Sequence, residues 1–362
     1  MKILDRYILK LFIKSWIIGI LGSVVIFFSK DLFDIVHGMI IGEYNFANAI
    51  YLLAYSLSTI LSFEMMHLSA IIGSLIAMST LNSNFELTAL RVSGIKFRRI
   101  VMAPLILSAM VSISLFFFTE YVGVRGNKIS YAIRYPKSKE GYLRVKRNVS
   151  FRSSDGYFIK IGKVDGSINF VHNIQIIYPN NDFSGVEKVI SAKNGSYYPE
   201  ESRWLFNEVQ IFESEKNINT FHEELSIPLR ENIQIFLKDL YENEEDQKRL
   251  SIPEIKEQLE FLQSSGKNYT LLLAHLFHRR IAYPFSVFVM VMVGLALMAG
   301  VAFQGRGTAI VLGVIIGFLY YVVVEISIAF ALGKIWPMIF SALAPNLLFL
   351  AIGIYLFRRA EK

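Results

Sequence analysis

Residues 11–29 read LFIKSWIIGILGSVVIFFS, a run whose one charge, Lys14, lies near its start. An α-helix needs roughly 20 apolar residues to cross the hydrocarbon of a bilayer. A lysine one turn inside such a run extends its ammonium back to the headgroups. The same reading applies to residues 100–119, 281–303, 308–335 and 335–357. Between residues 49 and 85 one long apolar stretch is interrupted at Glu64 and His67. A carboxylate is costly at the bilayer midplane, so 49–62 reads as a short interfacial or re-entrant helix and 65–81 as the second span. The sequence therefore predicts a polytopic α-helical membrane protein with six transmembrane helices. Its composition agrees: 53% of residues are hydrophobic and 19% charged, against a charged share of about a quarter in soluble domains.

The cations of the short segments give an orientation. Lys2, Arg6, Lys10 and Lys14 precede the first span; Arg91, Lys96, Arg98 and Arg99 lie between the second and third; Arg306 lies between the fourth and fifth; Arg358, Arg359 and Lys362 follow the sixth. With six spans all of these fall on one side, assigned to the cytoplasm, with both termini inside. The first apolar run is too long for a signal peptide and lacks a small-residue cleavage site, so it reads as a retained anchor. The net charge of +7 is accounted for by this topology. No basic stripe interleaved with aromatics occurs, so nucleic acid is not an expected partner. The chain has no cysteine, which removes any redox argument for its compartment.

From Tyr142 to Leu237 the apolar rhythm changes from helical to alternating. The segments YLRVKRNVSF, GYFIKIGKV, INFVHNIQIIY, VEKVISAKNGSYY, RWLFNEVQIF and IQIFL read as strands. Turn signals stand at Ser154-Asp155-Gly156, Asp165-Gly166, Pro179-Asn180-Asn181 and Asn194-Gly195. Regular short strands suggest a sandwich or jelly roll. After the acidic stretch YENEEDQKR, Ser251-Ile252-Pro253-Glu254 is a capping box opening a short amphipathic helix. The expected organisation is thus 1–122 for spans one to three with a cytoplasmic helix at 83–94, 123–250 for an outer all-β, jelly-roll-like insert, 251–266 for the connecting helix, and 267–362 for spans four to six.

No Walker A pattern, nucleophile elbow or clustered metal-ligand set appears. His172 and His222 stand apart, and His275 with His278 lack convergent carboxylates or thiolates. Two regions carry more information. The loop Asn82–Arg99 reads NSNFELTALRVSGIKFRR, in which Ser83 and Glu86 make a capping box, Phe85, Ala89 and Val92 share one helical face, and Gly94 is a stop. It is either a plain connector whose Glu86 caps its own backbone or a handle gripped by a cytoplasmic partner. The second region lies at the outer ends of the spans. Lys30 with Asp31 and Asp34, then Arg125, Lys128 and Arg134, then Arg279 and Arg280 gather there against the positive-inside trend. They snorkel at helix ends or hold an anionic lipid headgroup. Glu325, alone in span five, is a functional suspect as an intramembrane ionisable group.

The opening Leu4-Asp5-Arg6-Tyr7-Ile8, the segment Phe85 to Gly94, the Ser251-Ile252 helix entry and the closing Phe357-Arg358-Arg359 together resemble the LptF/LptG permease family of the lipopolysaccharide export ABC transporter. The amino-terminal LDRYI is nearer to the LptG branch. Members often carry prolines at the start of span two, where this chain reads Ser62-Phe63-Glu64 and His67-Leu68-Ser69. The resemblance implies an inner-membrane transport subunit without catalysis or a cofactor of its own, ATP and Mg being bound by a separate LptB-like cytoplasmic ATPase dimer. It implies a second, LptF-like permease, periplasmic LptC/LptA-like β-jelly-roll partners, and lipopolysaccharide as the cargo. It places Phe85, Glu86, Ala89, Leu90 and Arg91 in an ATPase-coupling helix and Lys30, Arg125, Lys128 and Arg134 in the region of the lipid phosphates. A membrane-bound lipid-modifying enzyme or a passive periplasmic scaffold is the alternative reading.

Overall fold

The structure, a computed structural model, describes residues 3–63, 65–134, 146–152, 156–165, 170–180, 185–198, 203–214, 218–227, 247–264, 269–299 and 305–361. Glu64, the expected strand at 233–237, most of the acidic stretch before Gln247, and the turn positions Ser154, Asp155, Gly166 and Asn181 lie outside them. The chain divides into a helical unit, 1–130 with 248–252 and 270–362, and a second unit, 131–247 with 253–269.

The helical unit opens with α1 (Ile3–Ile40), α2 (Phe46–Phe63), α3 (Met66–Ser83) and the short α4 (Glu86–Val92). Next come α5 (Phe97–Phe118), a π-helical segment Thr119–Gly123 and α6 (Val124–Arg134). After the insert follow α8 (Thr270–Ala274), a second π segment His275–Ala282, α9 (Tyr283–Ala299), α10 (Arg306–Leu332) and α11 (Met338–Glu361); α7 (Ile252–Ser264) precedes them. Among the described residues six helical runs are long and apolar enough to cross a bilayer.

α2 and α3 run end to end along α1. Tyr44, just before α2, packs on Gly38 near the carboxyl end of α1, whereas the Trp16 indole donates to Ser69 Oγ of α3 at 3.2 Å. The expectation of a separate interfacial or re-entrant helix at 49–62 is therefore corrected: α2 is long and apolar enough to cross a bilayer, and α2 and α3 succeed one another along α1. Its length explains why. α1 has 38 residues, about 57 Å at 1.5 Å per residue, and one 18-residue helix covers only about half of that.

α3 is the centre of the unit, with every residue from Met66 to Leu81 buried. Small residues let its neighbours close in. A Cβ on Gly73 would lie 2.6 Å from Trp16 Cα of α1, and one on Gly313 2.6 Å from Ile72. At its carboxyl end Asn82 Nδ2 donates to Met298 O at 2.6 Å and Ser79 Oγ to Gly305 O at 3.0 Å. Helices buried all round lack a polar face, and that is what α3 and α9 are.

The expected boundary at residue 123 falls inside a helical run: span three continues from Phe97 through the π segment to Arg134. In the second unit the described strands are β1 (Lys146–Arg152), β2 (Phe158–Asp165), β3 (Phe170–Pro179), β4 (Val186–Tyr198), β5 (Arg203–Glu213) and β6 (Ile218–Ile227). They form one antiparallel meander in the order β1-β2-β3-β4-β5-β6. The pairing skips Asn173 in β3 and Glu208 in β5, both with φ of 52°. The register is the same on either side of them, so no residue is inserted, and the one register shift among the described pairings is at Tyr178 and Pro179. On β5 the buried residues shift parity across Glu208, from Trp204 and Phe206 to Val209, and on β3 across Asn173, from Val171 to Ile174 and Ile176. Apolar residues on both sides of the irregular line thus join one core.

Two details differ from the sequence reading. Asn194-Gly195 is not a turn but lies within β4, paired with Asn207 and Phe206. Glycine is needed there because a Cβ would meet the Phe206 ring at 2.6 Å. β6 is a strand that the alternation did not reveal. It is an exposed edge carrying His222, Glu223 and Glu224, and charges of this kind protect an edge from stray pairing.

Candidate functional site

The short helix expected at 83–94 spans only Glu86–Val92. Ser83 ends α3, donating its hydroxyl to Thr80 O at 3.2 Å, and Phe85 then takes a left-handed conformation with φ of 58°. The chain turns by 70° before α4 begins at Glu86. The predicted capping box is therefore replaced: no side chain caps α4, and the Glu86 carboxylate accepts from the Tyr7 hydroxyl of α1 at 2.6 Å and from Asn84 Nδ2 at 3.1 Å. Gly94 does end the helix, with φ of 79°.

α4 is tied down on its inner side. Leu87 is buried and Leu90 packs against the core. Arg91 donates to Ala360 O of α11 at 3.0 Å and lies 5.5 Å over the Phe97 ring of α5. Nearby, Arg99 makes a two-pronged ion pair with Asp5 at 2.5 and 2.9 Å, joining α5 to α1. The outer side of α4 is apolar and bare: Phe85 is 66% and Val92 83% exposed, with Ala89 exposed between them.

At the other end of the spans the predicted cations divide into groups. Lys30 on α1 and Arg125 on α6 are exposed; Lys128, one turn further along α6, and Arg134 are half-buried. Arg279 and Arg280, on the second π segment, point elsewhere. Arg279 pairs with Glu325 of α10 at 3.1 Å, so the two charges that looked anomalous in sequence account for each other. Arg280 is 1% exposed. It donates to Leu250 O at 2.6 Å and Lys248 O at 3.2 Å, lies 4.8 Å over the Phe63 ring, and approaches Glu120 Oε2 at 3.7 Å. Glu120, on the first π segment, accepts the Ile252 N–H at 2.7 Å. These contacts make Arg280 an internal tie rather than an open anion ligand.

Sequence reasoning missed this tie and a second polar group beside it. Tyr320 donates to Asn346 Oδ1 at 2.9 Å, Asn346 donates to Ala282 O at 2.9 Å, and His278 bonds Ser341 Oγ at 3.1 Å. Tyr320 and His278 border a cavity of about 20 Å³ with His67 and Arg279, room for about one water. The only local signal was the density of polar residues in the last three spans; π segments, common at functional sites, have no sequence signature here.

A family model described as lipopolysaccharide export system permease LptF/LptG matches residues 6–359. The chain is similar to the lipopolysaccharide export system permease protein LptG of Haemophilus influenzae, 25% identical over 309 residues that cover 81% of this chain and 80% of the relative. It is likewise similar to LptG of Escherichia coli K12, 24% identical over 304 residues with the same coverage.

Proposed function

This chain belongs to the lipopolysaccharide export system permease LptF/LptG family and is a multi-pass inner-membrane permease subunit of that system; on that premise we propose that it is one of two transmembrane subunits driven by a cytoplasmic ATPase dimer. The observation that carries the proposal is α4, a helix between two spans whose inner face is anchored to α1, α5 and α11 while Phe85, Ala89 and Val92 stand bare. An apolar stripe at helical spacing with no covering in its own chain suits a groove on a partner. ATP and Mg bind on that partner, and this chain performs no catalysis.

The second permease is a paralogue of the LptF kind. Lipopolysaccharide phosphates are held at the outer ends of the spans by Lys30, Arg125, Lys128 and Arg134, as cations in a low-dielectric rim bind phosphate strongly. Arg279, paired with Glu325, and the buried Arg280 stand apart from this rim. The insert is periplasmic, and a free edge at β1 or β6 adds a strand of an LptC/LptA-like β domain, giving acyl chains a continuous path. A lipid-modifying enzyme finds less support, because the polar groups near the membrane are spent on helix contacts.

Both termini and α4 are cytoplasmic in this reading. A reporter active only outside the cytoplasm works when fused at Asn194 and fails at Ser93. The reverse result would place α4 on the wrong side for an ATPase and overturn the assignment.

A further inference from the structure

We propose that the Tyr7 hydroxyl is a positioning pin that carries movement of α4 into α1, so that α1 acts as the connecting rod between the ATPase side and the outer lipid rim. The inference rests on the reading of α4 as the ATPase contact. It starts from the Tyr7 to Glu86 hydrogen bond of 2.6 Å, which links α1 to the first turn of α4. The other tie of α4 found above runs from Arg91 to the carbonyl of Ala360, near the end of α11. The Tyr7 link is different in kind, because it enters the amino-terminal part of a long unbroken helix.

α1 runs from Ile3 to Ile40 without interruption. From Tyr7 to Lys30 that is about 35 Å of rigid helix at 1.5 Å per residue. A displacement at Tyr7 therefore reappears at Lys30. The span is free enough to move: most of its apolar stretch is unburied, with Leu21, Val25 and Ile26 exposed. Its contact with α3 brings the backbones together at Gly19, whose Cβ would lie 2.6 Å from Ser69 O, and is latched by the Trp16 indole on Ser69 Oγ, so the movement is a small shear of packed helices. By contrast α3 and α9 are enclosed on all sides and form the fixed frame.

Glu86 suits a shared role. A carboxylate offers about four acceptor positions, of which Tyr7 and Asn84 take one each. The remaining positions stay open to a cation outside the chain, so one group receives both the internal pin and the external contact.

The test uses the complete transporter, with its partner permease and ATPase, in liposomes containing lipopolysaccharide. Tyr7→Phe keeps the ring and removes the hydroxyl. ATP hydrolysis is expected within about twofold of the parent, while lipopolysaccharide extracted per ATP falls on the order of fivefold, as loss of one solvent-exposed hydrogen bond warrants. Glu86→Gln keeps an oxygen acceptor for Tyr7, so the lipopolysaccharide extracted per ATP stays at the parental ratio even as loss of the charge lowers ATPase retention. Tyr7→Phe combined with Glu86→Ala is no worse than Glu86→Ala alone, because the two act through one contact. Unchanged extraction per ATP in Tyr7→Phe, an equal fall of hydrolysis and extraction, or additive losses in the double variant would each overturn the pin. The α4 reading itself fails on another measurement, retention of the ATPase by Glu86→Lys in detergent, which Tyr7→Phe leaves at the parental level.

Discussion

Glu86→Lys is expected to abolish lipopolysaccharide export while the chain remains folded and inserted. The carboxylate sits in the first turn of α4, where a negative charge favours the helix dipole by about 0.3–1 kcal/mol. The fold loses little more, since Leu87, Arg91 and the α3 frame hold the segment. The larger effect is at the contact. An ammonium at residue 86 cannot accept from Tyr7 or Asn84, and it places like charge against any cation that the carboxylate had met, which costs several kcal/mol at an interface. ATPase retention should fall by at least about tenfold, the equivalent of about 1.4 kcal/mol. Glu86→Gln separates this from local damage: its amide oxygen still accepts from Tyr7, but it offers no charge to a partner cation, so ATPase retention and export should fall between the parental and the lysine values. Normal ATPase retention and export in the lysine variant would remove α4 from the coupling path.

Arg280→Met has the second large effect, on the fold itself. Its guanidinium is buried and is held by the carbonyls of Lys248 and Leu250, the Phe63 ring and Glu120. Methionine fills much of the space but leaves the Glu120 carboxylate without this countercharge and the carbonyls without these donors. Removing one partner of a buried charge pair costs about 3–5 kcal/mol. Accumulation of detergent-extracted, monodisperse protein should drop several-fold. Combining Arg280→Met with Glu120→Gln should recover part of the loss, because the stranded charge is gone. Accumulation of Arg280→Met at the parental level would show that the tie at residues 248–252 contributes nothing to stability.

Local pattern in the sequence made the spans, the strands β2 to β5, and the bare face of α4 legible, because each is written as a period of 3.6 or 2 in neighbouring residues. Phe85, Ala89 and Val92 were on one face in sequence and are exposed together in the structure. What local pattern hid was pairing over distance. Ser83 and Glu86 have capping-box spacing, yet Phe85 turns the chain between them and Glu86 meets Tyr7, 79 residues away. Arg279 violated the positive-inside trend and Glu325 was alone in its span; the ion pair between them joins positions 46 apart. α2 ends at Phe63 and α3 begins at Met66, but it is the length of α1, not local composition, that shows the two helices following each other along it. β6 was missed because an edge strand with both faces wet carries no alternation.

The central claim is that a cytoplasmic ATPase seats on the bare side of α4. A photo-reactive side chain placed singly at Phe85, Ala89 or Val92, in cells making the whole transporter, tests it directly. The account predicts an ATPase adduct from these positions and none from Leu87, which faces inward. Absence of the ATPase from all three adducts, or its capture from Leu87 alone, would contradict it.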